Sequence, residues 1–263
     1  GTQTNMEDAL IQEQDLVPEK RDDRKEVHNY IDAMNFAIEN LETLPLSNRL
    51  LKNTHKILLS NVRGERKNPG EFRRSQNWIG GADIKSAMFI PPHHNDLSDL
   101  LTDLENFWHE ESSEMPLLIK TAISHYQFET IHPFLDGNGR IGRLLITLQL
   151  LDSQLLDRPT LYISDFFEKN RSAYYDALMR TRESNDMDHW LRFFLTGVIE
   201  TAESSKKTFV QIGELRKSYN ERVAHLGRRS KLADALILKM YSNPIMSPRE
   251  VESELAIAPA TAN

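Results

Sequence analysis

Cysteine is absent from this chain of 263 residues. Its absence excludes disulfide bonds, thiolate nucleophiles and zinc sites built from thiolates, and it favours a reducing compartment such as the cytoplasm. Long apolar runs are absent too, since none approaches the roughly 20 residues of a membrane-spanning helix. Residues 1–4 do not form a charged leader before an apolar segment, so no signal peptide is visible. We therefore expect a soluble, cytoplasmic protein with no membrane partner.

Positive charge is scarce relative to negative charge. The 32 lysine and arginine residues stand against 39 aspartate and glutamate residues, which gives a formal net charge of −7. This balance disfavours a general binder of nucleic acids or membrane surfaces, because both attract basic proteins, but it allows a local basic pocket. The length allows one large domain, or one domain with a small appendage.

Apolar residues recur at three- and four-residue steps through most of the sequence, so we predict an all-α fold. Residues 139–152 are apolar on nearly every side, which indicates a buried central helix. Further helices are expected to open at Thr4 and Leu46 and to cover residues 22–43, 97–109, 116–129, 164–183, 186–201, 203–225, 231–241 and 247–255. Residues 76–91 break this pattern and predict two short extended segments in a small β-hairpin.

The segment 132–143 holds the residues best suited to phosphate chemistry. Gly137, Asn138 and Gly139 can adopt turn conformations that expose successive N–H groups. A helix that begins near Gly139 points its N-terminus at the same place, and both features attract phosphate. Arg140 and Arg143 are three residues apart, so both can reach that anion from one helix face. This arrangement predicts a nucleotide-phosphate site.

A base and a cation ligand stand beside this phosphate site. His132 is stiffened by Pro133, and the pKa range of histidine suits a general base at neutral pH. Asp136 can hold Mg²⁺ that bridges phosphates, and Phe134 is expected to pack inward and anchor the loop. The formal match of residues 137–142 to the dinucleotide fingerprint is disfavoured, because that fingerprint needs a preceding β-strand and a helix is predicted there. A plain tight turn would explain the glycines but not the histidine, the aspartate and the two arginines.

Residues 132–143 match in full the motif His-x-Phe-x-Asp/Glu-Gly-Asn-Gly-Arg-x-x-Arg, so the chain resembles the Fic proteins, specifically those with a C-terminal winged helix. Other similar stretches are Asn29-Tyr30, 69–73, 76–80, 128–132, Asn170-Arg171, Tyr174-Tyr175 and 190–197. The resemblance implies a Fic helical bundle over residues 1–200, a helical linker over 201–227 and a partial winged-helix or helix-turn-helix domain over 228–263.

The resemblance also implies an activity: transfer of AMP from ATP to a Ser, Thr or Tyr hydroxyl of a target protein, which can include the chain itself. His132 would deprotonate the hydroxyl, and Asp136 would hold Mg²⁺ on the α- and β-phosphates. The residues from Gly137 to Gly139 would form the anion hole. Arg140 would contact the phosphates and Arg143 would clamp the γ-phosphate. Pyrophosphate would leave.

Residues outside the motif carry weaker expectations. The 76–91 segment resembles the Fic flap, with Trp78, Ile79, Gly80 and Phe89 docking the target by strand pairing; an ordinary surface hairpin is the alternative. Tyr175 resembles a residue that lines the adenine pocket, although aromatic residues at helical spacing are often core. Two further polar residues are candidates for the same pocket, namely Asn170 and Arg182.

The remaining histidines are interpreted as structural. His93 and His94 form an adjacent pair with no third ligand at a suitable spacing, so an exposed loop is favoured over a metal site. His55 and His125 lie on helical patterns and are expected to be packed or hydrogen-bonded. His109 begins no metalloprotease motif, because the required spacing to a second histidine is missing.

Regulation and partners are the open points. Many Fic proteins carry an inhibitory glutamate that pairs with the last arginine of the motif, and residues 1–7 resemble what directly follows it. We expect the natural protein to extend further and to be autoinhibited in this way. Alternatives are AMP removal, transfer of another phosphate-linked group, or a catalytically idle nucleotide-binding regulator. DNA is a candidate partner of the C-terminal segment, and a homodimer is a further candidate.

Overall fold

The computed structural model describes residues 18–62, 66–110 and 114–259. Within them the chain forms ten α-helices, which confirms the expected all-α class. They are α1 (Pro18–Leu41), α2 (Asn48–Leu58), α3 (Leu97–His109), α4 (Leu117–Ile131), α5 (Asn138–Asp152), α6 (Ile163–Lys169), α7 (Arg171–Ser184), α8 (Met187–Ala224), α9 (Ser230–Ser242) and α10 (Pro248–Leu255). The helix predicted to open at Thr4 and the segment beginning at Gly1 lie outside the described residues.

The chain divides into two compact units. The larger unit is Lys25–Ser205 and contains the motif segment; the smaller unit contains the described residues 18–24 and 206–259. No helix in the described ranges is both long and apolar enough to cross a membrane. The division gives the larger unit its own core, which is what positions the candidate site.

Helix α5 is the centre of the larger unit, as predicted. Leu144 and Leu148 pack into one buried cluster, while Ile146 and Leu150 pack into a second cluster on another side of the same helix. Burial on both sides leaves α5 only a narrow, partly exposed polar stripe, formed by Arg140, Arg143 and Thr147. Each buried leucine contributes about 1.5–3 kcal/mol. The N-terminus of α5 is therefore held rigidly at the edge of the core.

Two predicted helix boundaries in the C-terminal third are wrong. Residues 186–201 and 203–225 were expected as separate helices, but α8 runs without a break from Met187 to Ala224. Conversely, the helix expected over 164–183 is interrupted at Asn170, whose backbone φ of −110° and ψ of 35° ends α6 before α7 begins. Neither boundary has a glycine or proline signal, so periodicity alone could not place it.

Backbone pairing in the 76–91 segment is limited to one antiparallel bridge. The N–H of Ile79 donates to the carbonyl of Phe89 at 2.9 Å, and the N–H groups of Met88 and Phe89 donate to the carbonyl of Ile79 at 2.9 and 3.2 Å. Gly80 and Gly81 adopt left-handed φ values of 69° and 74°, which the reversal of the chain requires. The hairpin flap stays a prediction, and the bridge marks where it would form.

The smaller unit ends in two helices, α9 and α10. Ser247 caps α10 through a complete capping box with Glu250, and Lys239 of α9 pairs with Glu254 of α10 at 2.6 Å. Both helices lie where the sequence predicts them. A winged helix additionally needs a recognition helix and a β-wing, neither of which the described residues contain, so that domain type stays a prediction.

Candidate active site

The motif loop joins the end of α4 to the start of α5. His132 caps α4 in the left-handed region, with φ 50° and ψ 61°, and its N–H donates to the carbonyl of Phe128 at 2.9 Å. A left-handed residue that is not glycine is uncommon and stops the helix abruptly. The imidazole is consequently fixed at the helix end, directly before the phosphate loop.

Asn138 closes the loop with its own side chain. Its Oδ1 accepts from the N–H of Phe134 and its Nδ2 donates to the carbonyl of Phe134, both at 2.8 Å. The residue is 2% exposed, so the amide side chain serves the loop and only the backbone N–H can face an anion. Phe134 is fully buried, as expected from the sequence.

The N-terminus of α5 offers backbone donors. Its first intrahelical bond runs from the N–H of Ile141 to the carbonyl of Gly137 at 3.0 Å, so the N–H groups of Asn138, Gly139 and Arg140 have no acceptor within the helix. Gly137 has φ 76°, and a Cβ there would lie 3.3 Å from the ring of His55. The geometry is that of an anion-binding helix N-terminus preceded by a glycine turn.

His55 of α2 holds the motif loop through hydrogen bonds and a ring stack. Its Nδ1 accepts from the N–H of Gly70 at 2.8 Å, so its Nε2–H donates to the carbonyl of Asp136 at 2.9 Å. The ring stacks on Phe134 at 3.8 Å between centroids. Burial lowers the pKa of His55 to about 4, which keeps it neutral and preserves this tautomer. The expectation of a packed, hydrogen-bonded histidine is confirmed.

Arg73, which precedes the 76–91 segment, and Asn77, which lies within it, also hold the motif loop. The buried guanidinium of Arg73 donates from Nε to the carbonyl of His132 at 3.0 Å and from Nη2 to the carbonyl of Pro92 at 2.6 Å. The amide of Asn77 donates to the carbonyls of His132 and Phe134 at 3.3 and 3.1 Å. Sequence reasoning assigned them no role, because donation to backbone carbonyls leaves no periodic pattern.

The imidazole of His132 is mostly enclosed. Its Nδ1 lies 3.8 Å from Oε2 of Glu129, and the side chain is 19% exposed. Burial lowers the pKa of His132 to about 4; the carbonyl of Glu129 opposes this shift, while the positive charges of Arg182 and Arg73 add to it. The ring is thus a neutral base at physiological pH.

Glu129 is a buried carboxylate that the sequence analysis overlooked. Its Oε1 has no hydrogen-bond partner, and burial raises the pKa of Glu129 to about 7, with the charges of Arg143 and Arg182 opposing the shift. The carboxylate lies beside Gly142, where a Cβ would come 2.4 Å from Oε1. A titratable group with a strongly displaced pKa at a cleft is a mark of functional sites.

The two motif arginines line the N-terminal turn of α5. Arg140 lies 3.7 Å from Oε2 of Glu26 and 3.6 Å from Oδ1 of Asp136, so carboxylates hold it in place. Arg143 passes beside Gly139, where its Nη1 would lie 3.1 Å from an added Cβ. The structure therefore brings His132, Asp136 and both arginines around one loop and one helix turn.

The expected pocket residues outside the motif have other contacts. Asn170 donates from Nδ2 to the carbonyl of Phe166 at 3.0 Å, which caps α6. Tyr175 is 40% exposed on α7 and stacks with Arg171 at 5.8 Å. Arg182 bonds to the end of α4 and stacks on Phe89. Their roles toward a nucleotide stay predictions.

Metal ligands are sparse. No group of three or more histidine, aspartate or glutamate side chains that could hold a metal ion occurs in the described parts of the chain, and this includes the pair of exposed His93 and partly buried His94. Asp136 offers one carboxylate that is 44% exposed. One carboxylate suits Mg²⁺ that is bound mainly through substrate phosphates and water, rather than a cation held by protein ligands alone.

Comparison with known proteins gives a consistent picture. Residues 45–150 match the model of the Fic/DOC family. The protein adenylyltransferase Fic of Drosophila willistoni is 31% identical over 172 residues, which is 63% of this chain and 31% of that protein. The enzyme of the same name from Culex quinquefasciatus is 36% identical over 125 residues, 47% of this chain and 22% of that protein. The chain thus spans no more than about a third of the length of these curated relatives.

Solved structures agree on the fold. A Fic family protein from Desulfovibrio desulfuricans G20 superposes with a TM-score of 0.62 at 22% identity, covering 94% of this chain and 66% of that one. Fic-1 from C. elegans, residues 134–508, superposes with a TM-score of 0.52 at 22% identity, covering 80% of this chain and 57% of that one. Identities this low speak to the fold alone.

Proposed function

We propose that this chain, whose residues 45–150 match the model of the Fic/DOC family, is a protein adenylyltransferase, which moves AMP from ATP to a Ser, Thr or Tyr hydroxyl of a target protein. The observation that carries the proposal is the loop from His132 to Asn138. It sets a neutral, enclosed imidazole beside the unbonded N–H groups and the two arginines of the α5 N-terminus. A base beside a phosphate cradle is the combination that transfer of a phosphate-linked group to a hydroxyl requires.

The chemistry follows from these positions. The neutral imidazole of His132 takes the proton of the target hydroxyl, and the hydroxyl oxygen forms a bond to the α-phosphorus of ATP. The bond from that phosphorus to the β-phosphate bridging oxygen breaks, and pyrophosphate leaves. The N–H groups of Asn138, Gly139 and Arg140 stabilise the charge on the phosphate oxygens, as do the guanidinium groups of Arg140 and Arg143.

Asp136 is the residue that would hold Mg²⁺ with the phosphates of ATP. Its half-exposed carboxylate, 3.6 Å from Arg140, fits an ion that keeps most of its ligands from the nucleotide and water. When bound, the ion neutralises phosphate charge. The carboxylate itself orders the loop, since its Oδ1 accepts from the N–H of Gly137.

The surrounding assignments belong to the same proposal. Trp78, Ile79, Gly80 and Phe89 would form the flap that registers the target, Tyr175 and Asn170 would border the adenine, and the domain boundaries would fall near residues 200 and 228. Trp78 is 42% exposed and Ile79 forms an isolated bridge, and both observations support a docking role. Three further hypotheses rest on the sequence alone: an inhibitory glutamate, a DNA partner for the C-terminal helices, and a homodimer.

Transfer of label from α-³²P-ATP to protein tests the proposal. We expect His132→Ala to lower the transfer rate by a factor on the order of 10²–10⁴, the contribution of a general base, while ATP binding persists. His93→Ala is the matched control, since His93 is an exposed histidine of the same kind on a loop. Equal transfer by wild type and His132→Ala would refute the mechanism, and release of AMP from a pre-labelled target would point to the reverse reaction.

A further inference from the structure

Arg182 reaches from α7 to two other parts of the larger unit. Its Nη2 donates to the carbonyl of Glu129 at 3.1 Å and its Nε donates to the hydroxyl of Thr130 at 3.3 Å. Its guanidinium lies 3.8 Å from the centroid of the Phe89 ring, the shortest cation–π distance among the described residues. One side chain thus joins α7, the last turn of α4 and the 76–91 segment.

The contact to α4 is at the turn that carries the base. The carbonyl of Glu129 belongs to the last turn of α4, where the helix dipole is negative and a cation is favoured. His132 caps this turn three residues later. A guanidinium held here restrains the backbone from which the imidazole of His132 projects.

The contact to Phe89 restrains the bridge. Phe89 is the residue that pairs with Ile79 in both directions, and the guanidinium covers its ring. Arg182 is partly buried, and desolvation lowers its pKa while the negative charge of Glu129 acts against that shift. A desolvated cation over an aromatic face is the stronger form of this interaction, and the planar guanidinium stacks where an ammonium cannot.

The residues that precede Trp78 are held by a separate set of hydrogen bonds. Arg73 and Asn77 donate to the carbonyl of His132, and Gln76 donates to the carbonyl of Pro91 at 2.9 Å. These bonds fix the residues before Trp78 but do not reach the bridge residues. The stack on Phe89 fixes the bridge itself, so the two attachments are not redundant.

We propose that Arg182 is a positioning residue that fixes the Ile79–Phe89 bridge at a set distance from His132, and so sets where a docked target hydroxyl meets the base. The role toward a docked target rests on the proposed function, whereas the restraint of the Ile79–Phe89 bridge by Arg182 does not. The inference also differs from the expectation that Arg182 contacts the nucleotide, since it assigns the guanidinium to the carbonyl of Glu129 and the ring of Phe89.

Amide hydrogen exchange at Ile79, Met88 and Phe89 measures the restraint without any need for activity, because the N–H groups of all three form the bridge. We expect Arg182→Met, which keeps the stem but removes the charge and the donors, to speed exchange there about tenfold, as for the loss of a partly desolvated cation–π contact. Arg182→Lys should restore part of the protection. Arg180→Met is the matched control on the same helix, because Arg180 is exposed and pairs only with Asp186 at 2.9 Å.

Kinetics of AMP transfer give the second readout. We expect Arg182→Met to raise the KM for a target protein about tenfold and to leave the KM for ATP within about twofold, since positioning of the target is what the stack supplies. If Arg182→Met does not fold, Phe89→Leu removes the same stack from the other side. Unchanged exchange at the three amides, or a raised KM for ATP alone, would overturn the inference. Faster exchange in a protein that transfers no AMP would uphold the inference and sink the proposed function instead.

Discussion

Three buried histidines show how one residue type serves two purposes. Both ring nitrogens of His55 and of His125 have hydrogen-bond partners, the latter with the carbonyl of Gly142 and the hydroxyl of Tyr174. The Nδ1 of His132 has none. Protonation of His55 or His125 would break a hydrogen bond, whereas the ring of His132 is 19% exposed, so His132 is the histidine of the three that we propose as the base, through the ring nitrogen other than the buried Nδ1.

The pKa of His132 predicts the pH dependence of the reaction. A base works only when deprotonated, so activity is present above its pKa and is lost as the pH falls through it. With burial holding the pKa of His132 at about 4, we expect kcat/KM for AMP transfer to vary by less than about twofold between pH 6 and 8 through this group.

The measurement is a kcat/KM profile from pH 4.5 to 8.5 at fixed free Mg²⁺ and ATP. Titration of the ATP γ-phosphate near neutral pH is removed by repeating the profile with an analogue whose terminal phosphate is capped. An acid limb with its midpoint near 6.5 would contradict the prediction, since that is the pKa of an unburied histidine.

Side chains that we propose to act on substrate are easier to predict than those that hold the loop. His132, Asp136 and Arg143 stand in one short motif whose chemistry is legible from residue types. Arg73 acts through its hydrogen bonds to backbone carbonyls, and Glu129 acts through its burial between helices. Both roles depend on the three-dimensional path of the chain. In the sequence they are ordinary charged residues on a loop and on a helix.

The crossing of α4 and α5 governs the site at the level of secondary structure. Gly142 lets the helices approach so closely that a Cβ would lie 2.4 Å from Oε1 of Glu129, 3.1 Å from Phe128 and 3.3 Å from His125. Gly142 occupies a position that the motif leaves unspecified, and the sequence predicts no role for it beyond the disfavoured dinucleotide fingerprint; in the structure its role is packing. Residues 132–143 therefore encode an approach distance as well as a chemistry.

We expect Gly142→Ala to destabilise the protein by about 1–3 kcal/mol, the usual effect of overpacking a tight interface, with part of the effect offset by the better helix propensity of alanine. Urea denaturation measures it. Gly213→Ala in α8 is the matched control, because nothing lies within 4 Å of a Cβ there, and it should stabilise by up to about 1 kcal/mol. Equal effects of the two substitutions would show that helix propensity, and not packing, decides both.

Helices were predictable where amphipathic periodicity met a clear signal. α2 begins after Ser47, whose side chain accepts from the N–H of Leu50, and α3 matches its predicted range of 97–109. The continuity of α8 was not predictable, because polar residues near 201–206 resemble a loop in a single sequence. The bridge between Ile79 and Phe89 lies in the segment 76–91, where the sequence predicts two short extended segments, but one residue on each side carries no strand period that would fix the pairing.

The larger unit, Lys25–Ser205, carries its buried ionisable groups in a pattern that makes its stability depend on pH. Burial holds the pKa values of His55 and His132 at about 4 and that of His125 at about 3, so all three are neutral when folded. Unfolding returns them to about 6.5, so below that pH the unfolded chain binds up to three more protons through them. Glu129 acts in the opposite sense, because its pKa of about 7 makes the folded chain hold a proton that the unfolded chain releases above about 4.5.

The histidines outnumber the glutamate, so near pH 5 the unfolded chain binds a net excess of about two protons from these groups. The free energy of unfolding should then rise with pH by up to about 3 kcal/mol per pH unit, with the gain confined between about pH 4 and 6.5. Thermal unfolding between pH 4 and 8 measures this. His125→Gln should flatten the slope by about half, because it removes one of the net two protons, and Glu129→Gln should steepen it, because the opposing group is removed. A Tm that is constant from pH 4.5 to 6.5, or one that falls with rising pH in wild type, would show that these imidazoles are not buried in the neutral form.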